Sequence, residues 1–179
     1  MRFLLPLADG FDELEAGTIL SILRKADIET VVSGVPGTII KSHTGLKVLA
    51  DKQLDEKDAE SADGLVLVGG AGYKALLNSQ KLLAMAARLD ARRKVIAAIG
   101  TAPCILSKAG ILENRMAAVY PGLERELAKP RKAKVIVDNN IITAGMPMHA
   151  ADFALKVVEV AVSKGKAEEI RRYLAPESV

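Results

Sequence analysis

Five uninterrupted aliphatic residues, Val95–Ile99, stop at Gly100, and within three residues Pro103 opens a helical pattern. A run of this kind has no polar face to turn to water, so it reads as a strand covered on both sides. A strand, a sharp turn and a helix in immediate succession belong to α/β folds, where many enzymes mount a nucleophile on such an elbow. Here the tip is Gly100, which has no side chain. The chain's one cysteine, Cys104, lies four residues further on.

The rest of the chain repeats this alternation. Strand patterns cover Arg2–Ala8 and residues 28–33, 46–49, 64–68, 94–99, 116–119, 134–137 and 141–143. Helical patterns cover residues 13–26, 73–77, 80–91, 103–109, 122–128, 149–163 and 166–173. Strands alternating with helices predict a doubly wound α/β sandwich with a mostly parallel central sheet and helices on both faces. Residues 34–44 read as a turn or small hairpin, and Asp138-Asn139-Asn140 as the hairpin turn between the last two strands. No linker, repeat or low-complexity tract divides the chain, so residues 1–179 are expected to form one domain.

Composition narrows the partners. Apolar residues make up 50% of the 179 and charged residues 26%, with a net charge of +3, which describes an aliphatic globular chain. The basic residues Lys129, Arg131, Lys132 and Lys134 have no aromatics among them, so they read as a solvated face, and no nucleic-acid partner is expected. One cysteine allows no internal disulfide and suits a reducing compartment. The N-terminal apolar stretch is too short for a signal peptide, and no segment has the ~20 apolar residues of a membrane span. A cytoplasmic protein with no membrane association is expected.

Ligands of open α/β sheets bind beyond the carboxyl ends of the strands, so the residues that follow each strand are the candidates. Glu15 heads the apolar stripe Ile19, Ile22, Leu23 and Ala26 of its helix. A carboxylate placed there is desolvated, which would raise its pKa and suit it to carry a proton. Asp12 and Glu15 also have the spacing of a capping box, in which Glu15 would bond back to the Asp12 N–H. Gly69-Gly70-Ala71-Gly72 lets backbone N–H groups approach an anion or oxyanion. Residues 70–75 also fit the Gly-x-Gly-x-x-Ala spacing of a dinucleotide loop, although the next strand ends at Gly100 with no acid for a ribose. Cys104, in the first turn of its helix, reads either as a lowered-pKa thiol or, flanked by Ile105 and Leu106, as a small buried hydrophobe. His43 and His149 lie far apart in sequence, neither in a ligand cluster, and no metal or cofactor is expected.

Gly10 to Glu15 after the first strand, Gly69-Gly70 after the fourth and Ala97-Ala98-Ile99 with Ala102-Pro103 at the elbow form one set. Tyr120-Pro121 and Pro147 with Asp152-Phe153-Ala154-Leu155 extend it over nearly the whole chain. On these residues the chain resembles the ThiJ/PfpI superfamily, in the branch of the parkinsonism-associated deglycase and its bacterial relatives. The resemblance implies a flavodoxin-like fold similar to class I glutamine amidotransferases, and a homodimer. It implies an elbow cysteine nucleophile, a position held here by Gly100, with Glu15 as the protonated partner of the thiolate. The oxyanion donors would be the backbone of Gly70 and Thr101, and the third pocket position Tyr120. A second, interface cysteine corresponds to Ser42. The loop of type Arg-Gly-Pro-Gly-Thr reads Gly145-Met146-Pro147-Met148-His149, so Met148 should fill space at the rim and His149 should add a titratable group to the pocket.

The expected function is therefore that of a divergent member without family-type cysteine catalysis, retaining a small-molecule or anion pocket built from Gly70, Ala71, Gly100, Thr101, Tyr120 and His149, with a stress-response role. The alternative is a glyoxalase, deglycase or amidase-like hydrolase using Glu15 with water, or Cys104. The labels protease and thiazole-phosphate biosynthesis also occur in the superfamily. A nucleotide-binding protein using Gly69 to Gly72 is the third reading.

Overall fold

The computed structural model describes residues 1–176, so the last three residues of the expected 1–179 unit lie outside the described residues. In chain order the first elements are β1 (Arg2–Ala8), α1 (Glu13–Lys25), β2 (Glu29–Val35), β3 (Ile39–Lys41), β4 (Lys47–Leu49), β5 (Lys52–Gln53), α2 (Asp58–Ser61) and β6 (Gly64–Leu67). Then come α3 (Tyr73–Leu77), α4 (Gln80–Ala91), β7 (Val95–Ile99), α5 (Pro103–Lys108), β8 (Ile136–Asp138), β9 (Ile141–Ala144), α6 (Ala150–Ala161) and α7 (Lys164–Leu174).

Seven strands form one sheet in the order β5-β2-β1-β6-β7-β9-β8, parallel throughout except for the β8–β9 hairpin. β3 and β4 pair separately as an antiparallel hairpin. Successive residues of a strand point to opposite faces, and β1 shows the consequence. Phe3, Leu5 and Leu7 pack with Ile19 and Ile22 of α1, Phe153 and Val157 of α6 and Ile170 of α7. Leu4 enters the other layer with Leu76 of α3, Leu82, Met85 and Leu89 of α4, and Ile105 and Leu106 of α5. Both faces of the sheet are thus covered, as the unbroken aliphatic runs require.

The sequence reading fails in three places. Residues 116–119 form no strand. They run extended, touching a neighbour only through an Ala117–Pro130 bridge. Their donors go to side chains and loops instead: Met116 N to Asp138 Oδ2 at 2.8 Å and Ala118 N to Thr143 Oγ1 at 2.9 Å. The helix expected over 122–128 is only a short 3-10 turn, Glu124–Glu126. The small elements β5 and α2 had no sequence signal, because two and four residues are too few to carry a period.

Strand order reverses at β1, which has β2 on one side and β6 on the other. The connections leaving β1 and β6 therefore splay apart at their carboxyl ends and leave a crevice. An isolated bridge between Phe11 and Gly70 ties the two connections together at its floor.

Candidate active site

A cavity of about 260 Å³ opens in that crevice, lined by Asp12, Glu15, His43, Gly70, Ala71, Gly100, Thr101, Tyr120 and Pro147. Glu15 is its buried acid, 1% exposed on the first turn of α1. The helix starts at Asp12, whose Oδ1 accepts from the Glu15 N–H at 3.0 Å. The reciprocal half of the expected capping box is absent. The Asp12 N–H goes to Gly69 O at 3.0 Å, and the Glu15 carboxylate turns into the crevice, where its Oε2 accepts from the Gly69 N–H at 2.6 Å. Burial pushes the Glu15 carboxyl up to about 7; the Gly69 hydrogen bond opposes the rise and the nearby Asp12 carboxylate adds to it.

Gly100 follows β7 at φ +64°, in the left-handed region that side chains resist. A Cβ placed on it would run into the Glu15 carboxylate. The elbow is thus formed, but the space beginning a side chain there is filled by the acid. Two bonds fix the backbone: Gly100 N to Ala144 O, and Tyr120 N to Gly100 O, both 2.9 Å. Gly70 sits at φ +93°, and a Cβ there would lie 2.5 Å from Asp12 N and Gly10 O, so only glycine lets the two connections meet. The Thr101 hydroxyl donates to Gly70 O at 3.3 Å, bracing the elbow against the glycine loop. The backbone N–H groups of Gly70 and Thr101 have no acceptor among the described residues, and both residues line the cavity. Tyr120 is 45% exposed and forms its rim.

Two sequence candidates lie elsewhere. Cys104 is in the core layer of α4 and α5, 4% exposed and outside the cavity. Burial, with a contribution from Glu126, pushes its thiol up to about 11, away from thiolate chemistry. His149 does not line the Glu15 cavity but a neighbouring one, because the short 3-10 turn Pro147–His149 presents Pro147 to the first and His149 to the second. Met148 is 82% exposed and plugs neither. Much of the Gly69 to Gly72 loop is already engaged. Gly69 N is taken by Glu15 and Gly72 N by Gly10 O at 3.0 Å, and α3 behind it has only five residues, so little remains to cradle a pyrophosphate.

Asp12 and Pro147, on segments that follow the first and last strands, line the cavity too, and so does His43, which the sequence reading placed nowhere near it. His43 arrives on the turn of the β3–β4 hairpin, its N–H bonded to Phe11 O at 3.0 Å. That contact joins residues 32 positions apart, which no local pattern could show. Among the described residues no group of three or more His, Cys, Asp or Glu could hold a metal, and no helix is long and apolar enough to cross a membrane.

The profile of the DJ-1/PfpI family matches residues 1–160. The chain belongs to the DJ-1/PfpI family. Among curated members it is 30% identical to DJ-1 homolog B of Arabidopsis thaliana over 96% of this chain, and spans 40% of that protein. It is 30% identical to dj-1beta of Drosophila melanogaster, covering 94% of this chain and 93% of that one. A deglycase from Pyrococcus abyssi is 28% identical over 82% of this chain and 91% of its own length. Among solved structures, oxidised Toxoplasma gondii DJ-1 superposes with a TM-score of 0.93 at 32% identity, covering 99% of both chains. The flavodoxin-like DJ-1 architecture is therefore that of this chain.

Proposed function

We propose that this DJ-1/PfpI-family protein binds a small carbonyl or carboxylate compound in the Glu15 cavity and carries out no cysteine-based covalent chemistry there. The observation that carries the reading is the elbow: Gly100 sits at positive φ with the Glu15 carboxylate over it, and the chain's one cysteine is buried in another layer. The cavity wall carries donors beside one further carboxylate, Asp12, whose Oδ1 is taken by the Glu15 N–H. The N–H groups of Gly70 and Thr101 are available to an oxygen, and a carboxyl held near 7 keeps its proton through slightly acidic pH and can donate it.

A second reading rests on a different observation. Relatives from Pyrococcus abyssi and Thermococcus kodakarensis, each 28% identical, are named deglycases. Glu15 near 7 is suited to general acid–base work on a carbonyl with water as the nucleophile. Methylglyoxal consumption separates the two. The binding reading predicts saturable binding of pyruvate by calorimetry and no methylglyoxal turnover in the wild type or in Cys104→Ala. Turnover that survives Cys104→Ala and disappears in Glu15→Gln would establish water-based catalysis instead.

The reading extends to a cytoplasmic homodimer with a stress-related role. Leu14 on α1 and Ile39, Leu46 and Leu49 on and beside the β3–β4 hairpin are large exposed apolar side chains, which a second copy would cover. Light scattering at micromolar concentration should give twice the monomer mass.

A further inference from the structure

Beside the Glu15 cavity lies a larger one, of about 350 Å³. Neighbouring residues divide the two: Tyr120 and Pro147 face the first, Pro121 and Met146 the second. Its wall is mostly apolar, from Ala118, Val119, Pro121, Pro130, Ala133 and Met146. His149 interrupts that wall, and the buried Nδ1 of its ring has no hydrogen-bond partner among the described residues. Nδ1 is the covered side of the ring, so what His149 presents to the cavity is the rest of the imidazole.

The charges at the rim have one dominant sign. Arg131 and Lys132 line the cavity and are exposed. They belong to the basic run that the sequence presents as a solvated face, but the run is not uniform. Lys134 lies 4.0 Å from Asp152, Lys129 Nζ donates to Asn114 O at 3.4 Å and Arg131 Nη1 to Pro130 O at 2.9 Å, and neither Arg131 nor Lys132 has an ion pair among the described residues. Glu124 is the one acid of the lining, and its Oε2 already accepts from Gly122 N at 2.9 Å. His149 also precedes the twelve-residue α6, whose N-terminal end favours an anion. Asp152 in the first turn of that helix is held by Arg171 at 3.3 Å.

The geometry points to this second cavity as a binding site for a small organic carboxylate with an apolar body. The carboxylate meets Arg131, Lys132 and the uncovered edge of the His149 ring. The body packs on Val119, Pro121 and Met146. The site is separate from the Glu15 cavity and stands whether or not that cavity binds a carbonyl compound.

Hexanoate, hexanol and hexylammonium titrated into amide-labelled protein test this. Hexanoate should bind saturably and shift the amides of Val119, Met146 and His149. Hexanol should bind at least tenfold more weakly, and hexylammonium should leave those amides unmoved. Arg131→Ala/Lys132→Ala should weaken hexanoate at least tenfold, and since both side chains are exposed its amide spectrum should otherwise match the parent. His149→Phe should weaken hexanoate while leaving hexanol unchanged or tighter. The proposal is overturned if hexanoate does not saturate, if the shifts are confined to Gly69, Gly70 and Thr101, or if the double variant binds as the parent does.

Discussion

Gly100 and Glu15 compete for one space, and their energetics follow from it. A side chain at φ +64° is strained by about 1–3 kcal/mol, and its Cβ would also have to displace the Glu15 carboxylate. Gly100→Cys should therefore unfold at lower urea concentration and lower temperature than the parent; equal or greater stability would remove the strain argument. Glu15 makes a second prediction, on pH. Its folded-state pKa, about 7, is above the 4.5 of an ordinary glutamate, so between these values the folded chain holds a proton that the unfolded chain has lost. Its contribution is full below about 4.5 and is lost as pH rises through 7, by roughly 3 kcal/mol in all. Urea titrations at pH 5 and pH 8 should show wild type losing about 2.5 kcal/mol more stability than Glu15→Gln, since part of the contribution is already gone at pH 5. At this scale the sequence showed that Glu15 heads a buried stripe, but the Asp12 spacing equally allowed a cap. Only the fold, by bringing Gly69 within 2.6 Å, decides where the carboxylate points.

Two elements aim the site. The start of α1 is set by the Asp12 cap, and Glu15 enters the crevice only because the helix begins where it does. Asp12→Ala should cost about 1 kcal/mol, as lost N-caps do, and should also bring the pH dependence due to Glu15 closer to that of an ordinary carboxylate by loosening its geometry. The β3–β4 hairpin brings His43 to the cavity, and Thr44 Oγ1 hydrogen-bonds Glu13 Oε1 on α1. The strand–turn–helix at Gly100 was legible because a five-residue aliphatic run, a glycine and a proline each constrain the backbone independently. The stretch 116–119 was misread because a short apolar run looks like a strand whatever its partners, and here those partners are side chains such as Thr143.

In the whole molecule the sheet places the site and the two helical layers hold the sheet. Phe153, fully buried on α6, packs in the layer shared with α1 and β1. Phe153→Ala should cost about 3–5 kcal/mol by equilibrium unfolding, the usual range for a large core truncation. The doubly wound class was legible because strands covered on both faces leave unbroken aliphatic runs. The strand ends also suggested which loops meet; the arrival of His43 and the turning of His149 into the neighbouring cavity were not legible, since they depend on the hairpin and the short turn that carry them. The site that results has an elbow whose tip, Gly100, carries no side chain, and beside it a carboxyl that burial holds near 7. Pyruvate affinity measured by calorimetry from pH 6 to pH 8.5 tests that arrangement directly. If the protonated Glu15 carboxyl is the donor, wild-type affinity holds below pH 7 and falls up to tenfold per pH unit above it, while Glu15→Gln, which keeps a donor that does not titrate, binds with a flat profile. Equal wild-type affinity at pH 6 and pH 8.5, or the same fall in Glu15→Gln, would contradict the account.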